Sequence, residues 1–98
     1  MAGYLIAAID IKDPEGFDDY RRQVSPIIAR YGGRYIVRGG AVTPLEGTAP
    51  QRRLVVIEFP SVDAARQFYA CEDYAPVLKL RLASAETDVF LVEGYEGG

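Results

Sequence analysis

Five side chains in this 98-residue sequence have the chemistry to hold a small polar molecule: Arg38, Glu58, Tyr69, Tyr74 and Arg81. A tyrosine hydroxyl can donate to a carbonyl, and a guanidinium can stabilise negative charge on an enolate or phenolate. Tyr69 and Tyr74 flank an expected break in a helical region, and Arg81 follows about two turns later, so the three are placed to rim a cavity mouth. Arg38 and Glu58 are expected to share a facing on strands joined by one hairpin, as a charge-assisted cross-strand pair that orients an anionic or carbonyl-bearing ligand. Each has a plainer structural reading. The pair can simply satisfy itself and fix register, the tyrosines can fill an amphipathic core, and Arg81 can be a solvated helix charge.

Other candidates carry less. Asp10 and Glu93 have matching facings near strand ends and read as solvated carboxylates rather than an acid and base pair. Cys71 is the only cysteine, with no histidine or basic neighbour to activate its thiol, and reads as a small core filler. Gly39-Gly40 lacks the Lys-Ser/Thr and strand-to-helix setting of a phosphate loop, so it reads as backbone geometry, a bulge. Histidine, tryptophan and asparagine are absent, which removes the commonest general base and most metal sites. No cofactor and no metal are expected, and no catalytic residue is assigned.

Eleven basic against fourteen acidic residues give a net charge of −3, the wrong sign for a nucleic-acid partner. A lone cysteine rules out an intrachain disulfide and suits a reducing compartment. The apolar stretch Tyr4 to Ile9 has no basic residue before it and ends at Asp10 and Lys12, far short of a membrane span. The expectation is a soluble, cytoplasmic protein with one domain over residues 1–98 and no membrane association.

The elements that must position these residues follow from pattern. Residues 4 to 11 read as a strand, and Asp13-Pro14 as cap and first position of a helix with an apolar stripe from Phe17 to Tyr31. Pro26 should kink that helix and Gly32-Gly33 end it. Arg34 to Arg38 is a second strand, continuing through Ala41 to Leu45, before a surface loop over 46 to 51. Arg52 to Phe59 is the third strand, and Ser61 caps a second helical region that breaks near Cys71 to Pro76 and resumes to about Ala85. Asp88 to Tyr95 is the fourth strand, with Gly97-Gly98 a loose end. The order βαββαβ predicts an α+β, ferredoxin-like domain: a four-stranded antiparallel sheet with two helices on one face.

Strand parity divides the sheet into two faces. One set is uncharged: Leu5, Ala7, Ile9 and Ile11; Tyr35 and Val37; Val55, Ile57 and Phe59; Phe90 and Val92. It should floor the helices. The other set is mixed: Tyr4, Ile6, Ala8 and Asp10; Arg34, Ile36 and Arg38; Leu54, Val56 and Glu58; Val89, Leu91 and Glu93. A chain this short has no helix left to cover it, so the expectation is a homodimer packed sheet to sheet.

Several segments together resemble the domain of unknown function 1330 family (DUF1330). They are DIKDPEGFDDY, YGGRYIVRGG followed by LEG, VVIEFPSVDAARQFYACEDY and the closing VEGY, which span nearly the whole chain. The resemblance implies the dimeric α/β-barrel fold, in agreement with the face argument, and implies little chemistry. Functionally, the leading expectation is a small organic molecule bound in a cavity. The alternatives are a cofactor-independent oxygenase or isomerase on a phenolic or enolisable substrate, and a purely structural dimer.

Overall fold

The computed structural model describes residues 1–49 and 51–96, so the expected loose end at Gly97-Gly98 lies outside the described residues. The elements are β1 (Gly3–Ile11), α1 (Pro14–Arg30), β2 (Arg34–Arg38), β3 (Arg53–Phe59), α2 (Val62–Ala70), α3 (Tyr74–Ser84) and β4 (Ala85–Glu93). They form a four-stranded sheet in the order β2-β3-β1-β4 with every neighbouring pair antiparallel. This is the expected ferredoxin-like α+β arrangement. The second helical region is broken over Cys71 to Asp73 into α2 and α3, and Ala41 to Leu45 does not extend β2.

Local chemistry accounts for the boundaries. Asp13 has extended backbone at the start of α1, but its side chain makes no capping bond. The amides of Lys12 and Asp13 instead donate to the Ser84 carbonyl (2.8 and 2.9 Å), tying the start of α1 to the end of α3. The helix runs through Pro26 and ends in a Schellman motif, with Gly32 at φ +81° and the Gly33 amide donating to the Ile28 carbonyl at 3.0 Å. Ser61 caps α2 as expected, its hydroxyl accepting from the Ala64 amide at 3.0 Å.

Leu5, Ala7 and Ile9 stand on the helix side of central β1, opposite Ile57, Val55 and Arg53 of β3. Across the other edge they face Leu91, Val89 and Thr87 of β4. Phe90 and Val92, expected beneath the helices, are therefore on the open face, 51% and 41% exposed, while Val89 and Leu91 pack on the core. The run Val89-Phe90-Leu91-Val92 is apolar in both parities, so alternation carried no phase and the ladder register to β1 decides it.

A second swap arises in β2. A bulge between Tyr35 and Val37 puts Val37 opposite Val56 and Arg38 opposite Val55. The extra residue is Ile36, not a glycine of the Gly39-Gly40 pair, and beyond it the facing inverts. Val37 turns to the open face, and Arg38 turns to the helix face.

The core comes in two parts. One joins Val24, Ile27 and Ile28 of α1, Phe68 of α2 and Tyr74 and Val77 of α3 to Leu5 and Phe59. The other joins Phe17, Ile9, Val55 and Ala85. Cys71 is half-buried against the first. Tyr20, Tyr35 and Ile57 border both, and the space at this seam is not filled.

The open face has an apolar middle and polar ends. Ile6, Ala8, Leu54 and Val56 are half-buried beside the exposed Val37, Phe90 and Val92. At one end Arg34 pairs with Glu58 at 2.8 Å, and at the other Arg52 pairs with Asp88 at 2.5 Å. Asp10 and Glu93 are not a pair. Asp10 lies opposite Glu86 and bonds Lys12 at 2.9 Å, while Glu93 lies opposite Gly3 at the far end of the ladder.

Candidate functional site

The seam between the two core parts is a cavity of about 50 Å³, room for a few waters at the ~10–15 Å³ that one water needs. Its floor is the sheet row Val89, Ala7, Val55 and Arg38, and Ala7 is the small side chain that leaves the space open. Phe17, Tyr20 and Arg21 of α1 close one wall, and Phe68 and Tyr69 of α2 with Tyr74 and Arg81 of α3 close the other.

Arg81 is the least ordinary residue in the wall. It is 3% exposed on the inner side of α3, in one stripe with Tyr74, Val77 and Ser84, while its neighbour Leu82 faces solvent. One terminal nitrogen donates to the Thr87 hydroxyl of β4 at 2.6 Å and the other to the Tyr69 hydroxyl at 3.4 Å. Its Nε–H is buried without a partner, and among the described residues no carboxylate forms a salt bridge with it. Burial opposes its charge, but the oxygens of Tyr74, Tyr20 and Tyr69 outweigh this and hold its pKa above the ordinary value. It is a fixed cation.

The tyrosines are held in the opposite state. Tyr20 and Tyr74 share a hydrogen bond at 3.0 Å between α1 and α3. Burial, reinforced by the neighbouring Tyr74 oxygen, raises the Tyr20 phenol far above its usual range, and burial raises Tyr74 as well. Both stay neutral donors across the physiological range.

Of the five residues singled out by sequence, four line this cavity: Arg38, Tyr69, Tyr74 and Arg81. Glu58 does not. It lies on the open face of the sheet, where it takes the Arg34 guanidinium and the Tyr4 hydroxyl (3.1 Å). The expected Arg38–Glu58 pair is absent because the register puts Arg34 opposite Glu58, with Arg38 further along the ladder at Val55. The bulge also turns Arg38 to the other side, where its guanidinium stacks 4.3 Å from the centre of the Tyr35 ring. Sequence reasoning missed Tyr20, Arg21 and Arg53. Arg53 shared the parity of Val55 and Ile57, which was signal enough to place it inside. Tyr20 lies in the apolar stripe of α1, where periodicity alone does not separate a cavity wall from core.

Among the described residues no group of three or more His, Cys, Asp or Glu side chains is placed to hold a metal, and no helix is long and apolar enough to cross a membrane. The site therefore consists of phenols, guanidinium groups and apolar walls.

An antiparallel four-stranded sheet with its helices on one face and a cavity between the layers defines a ferredoxin-like domain. The chain belongs to the DUF1330 family, described as a domain of unknown function, which it matches over residues 2–95. It is similar in structure to a protein of unknown function from Rhodopseudomonas palustris, with TM-score 0.78 and 18% identity over 98% of this chain and 84% of that one. It is also similar to SnoaB, a cofactor-independent oxygenase from Streptomyces nogalater, with TM-score 0.70 and 14% identity over 98% and 95% of the two chains. A dimeric ferredoxin-like protein of unknown function from Thermobifida fusca gives TM-score 0.61 and 16% identity over 95% and 91%. At these identities the likeness is one of fold. No curated protein matches the chain.

Proposed function

We propose that this protein is a homodimer that binds a small organic molecule in the cavity between its sheet and helices. The observation that carries the reading is the buried Arg81, which lines an apolar space and has an unpaired Nε–H. A guanidinium is expensive to bury, and a packed structural core would have placed an aliphatic side chain in that stripe. Tyr69 and Tyr74 stand in the same wall, and Arg38 lies in the floor. Glu58 supports the open face of the sheet instead.

The dimer rests on that open face. Val37, Phe90 and Val92 make an exposed apolar centre between two charged ends, which suits a second copy of the sheet. Structural relatives described as dimeric share this fold.

A second reading, a cofactor-independent oxygenase, draws on the fold shared with SnoaB. It requires a substrate whose proton leaves to solvent rather than to a base of the protein. Tyr20 and Tyr74 are held protonated, arginine does not accept a proton at neutral pH, and no carboxylate lines the cavity among the described residues.

Incubation with a panel of phenols and enolisable lactones separates these readings, followed by thermal shift and oxygen uptake. Saturable stabilisation without oxygen consumption is the expected result. Oxygen uptake lost in Arg81→Met would favour the oxygenase, and a panel that stabilises wild type and Ala7→Leu alike would overturn the cavity.

A further inference from the structure

We infer that the cavity selects the ionised form of its ligand, a single-ring phenolate, enolate or aromatic carboxylate. This rests on the binding reading above and specifies the substrate class. The donors and acceptors of the wall carry this. Arg81 spends two N–H groups on Thr87 and Tyr69 and keeps its Nε–H unpaired. Tyr69 accepts from Arg81, so its own proton remains free to donate. In the Tyr20–Tyr74 pair one hydroxyl donates to the other, and the acceptor keeps its proton. The wall thus offers hydrogens and a fixed positive charge.

The rest of the lining has the same sign. Arg21, Arg38 and Arg53 join Arg81, and no aspartate or glutamate lines the cavity among the described residues. Arg21 is the one already engaged, with Asp18 at the surface. The Arg53 Nε–H is, like that of Arg81, buried and unpaired. In a chain with net charge −3, Arg38, Arg53 and Arg81 around one small cavity are a concentration of positive charge that no carboxylate pairs among the described residues. The missing counter-charge is the ligand's.

Size and shape narrow the body of that ligand. The enclosed space is about 50 Å³, a third of the ~150 Å³ apolar cavity that takes one benzene. It is walled by the packed rings of Phe68 and Tyr74, 4.6 Å apart between centroids, with the small Ala7 in the floor. Only the edge of one flat ring that carries the charged oxygen enters a space of that size, and the rest of the ring lies toward the exposed Tyr69 and Arg38. The anionic oxygen lies toward Arg81 and the free phenolic protons. When a phenol binds as its anion, its proton passes to solvent.

The test compares two probes of similar size, 4-nitrophenol and nitrobenzene. With the dimer mixed with 4-nitrophenol just below its solution pKa, binding should bring up the visible absorbance of the phenolate, its apparent pKa falling by about one unit. The phenolate should bind about tenfold tighter than nitrobenzene. Arg81→Met should abolish both the absorbance change and the preference while still binding nitrobenzene, and Arg81→Lys should restore part of the shift. Binding of 4-nitrophenol without a change in its ionisation, or nitrobenzene binding as tightly as the phenolate, would overturn the inference while leaving the cavity as a binding site. If neither probe binds wild type, or both bind Ala7→Leu unchanged, the binding reading itself fails. The wild-type comparison decides the matter even if the Arg81 variants do not fold.

Discussion

The Tyr20 hydroxyl of α1 lies 3.0 Å from the Tyr74 hydroxyl of α3, and this bond closes the roof of the cavity over the seam of the core. Truncating either residue to phenylalanine leaves the other hydroxyl without its partner in a largely buried place, a loss of about 1–3 kcal/mol. Removing both takes away the bond without stranding either group. Tyr20→Phe and Tyr74→Phe should therefore each destabilise, and the double variant should cost clearly less than their sum. Urea unfolding at one fixed protein concentration measures this, and strict additivity would mean the hydroxyls are independent.

Glu58 gives a pH dependence of known sign. The Arg34 guanidinium, followed by the Tyr4 hydroxyl, holds its carboxyl below the usual glutamate range. A lowered folded pKa adds stability that is present above the unfolded value and is lost as pH falls through the folded value. Glu58→Gln should thus melt below wild type at neutral pH, and the gap should close in acid. A gap independent of pH would show that the pairing contributes no charge-dependent stability.

Two backbone devices hold the helices in place. Ser61→Ala should cost about 1 kcal/mol by removing the cap on the Ala64 amide. Gly33→Ala should cost more than Ser61→Ala. Its new methyl would stand 2.6 Å from Ile28 Cγ2 and 2.7 Å from the Phe59 ring, both in the packed core. Thermal melts of the two variants check the order, and a smaller loss for Gly33→Ala would show that this part of the core yields easily.

The open face should respond to charge. Phe90→Asp places a carboxylate in the exposed apolar centre opposite Ile6 of β1, without touching the cavity floor. Sedimentation should find wild type as a dimer and the variant shifted toward a folded monomer. A well-folded wild-type monomer at micromolar concentration would contradict the dimer.

Element order was legible because the signals are local. Pro14 at the head of α1, Gly32-Gly33 at its tail, Ser61 before α2 and Pro60 after β3 each act through their own backbone. Facing was less legible because it depends on partners. Phase in β4 needed the register to β1, and the side taken by Arg38 needed the bulge at Ile36. The site was half visible. Arg81 follows Tyr74 and Val77 at helical spacing, but the adjacent Leu82 offered a more ordinary apolar stripe, and only packing against α1 and β4 shows which face turned inward.

Ala7 is the residue that keeps the cavity open. Isothermal titration of 4-nitrophenol into wild type and Ala7→Leu, with matching circular dichroism, tests it most directly. Saturable binding of one molecule per protomer is expected in wild type and none in the folded variant. Equal binding by both would contradict it.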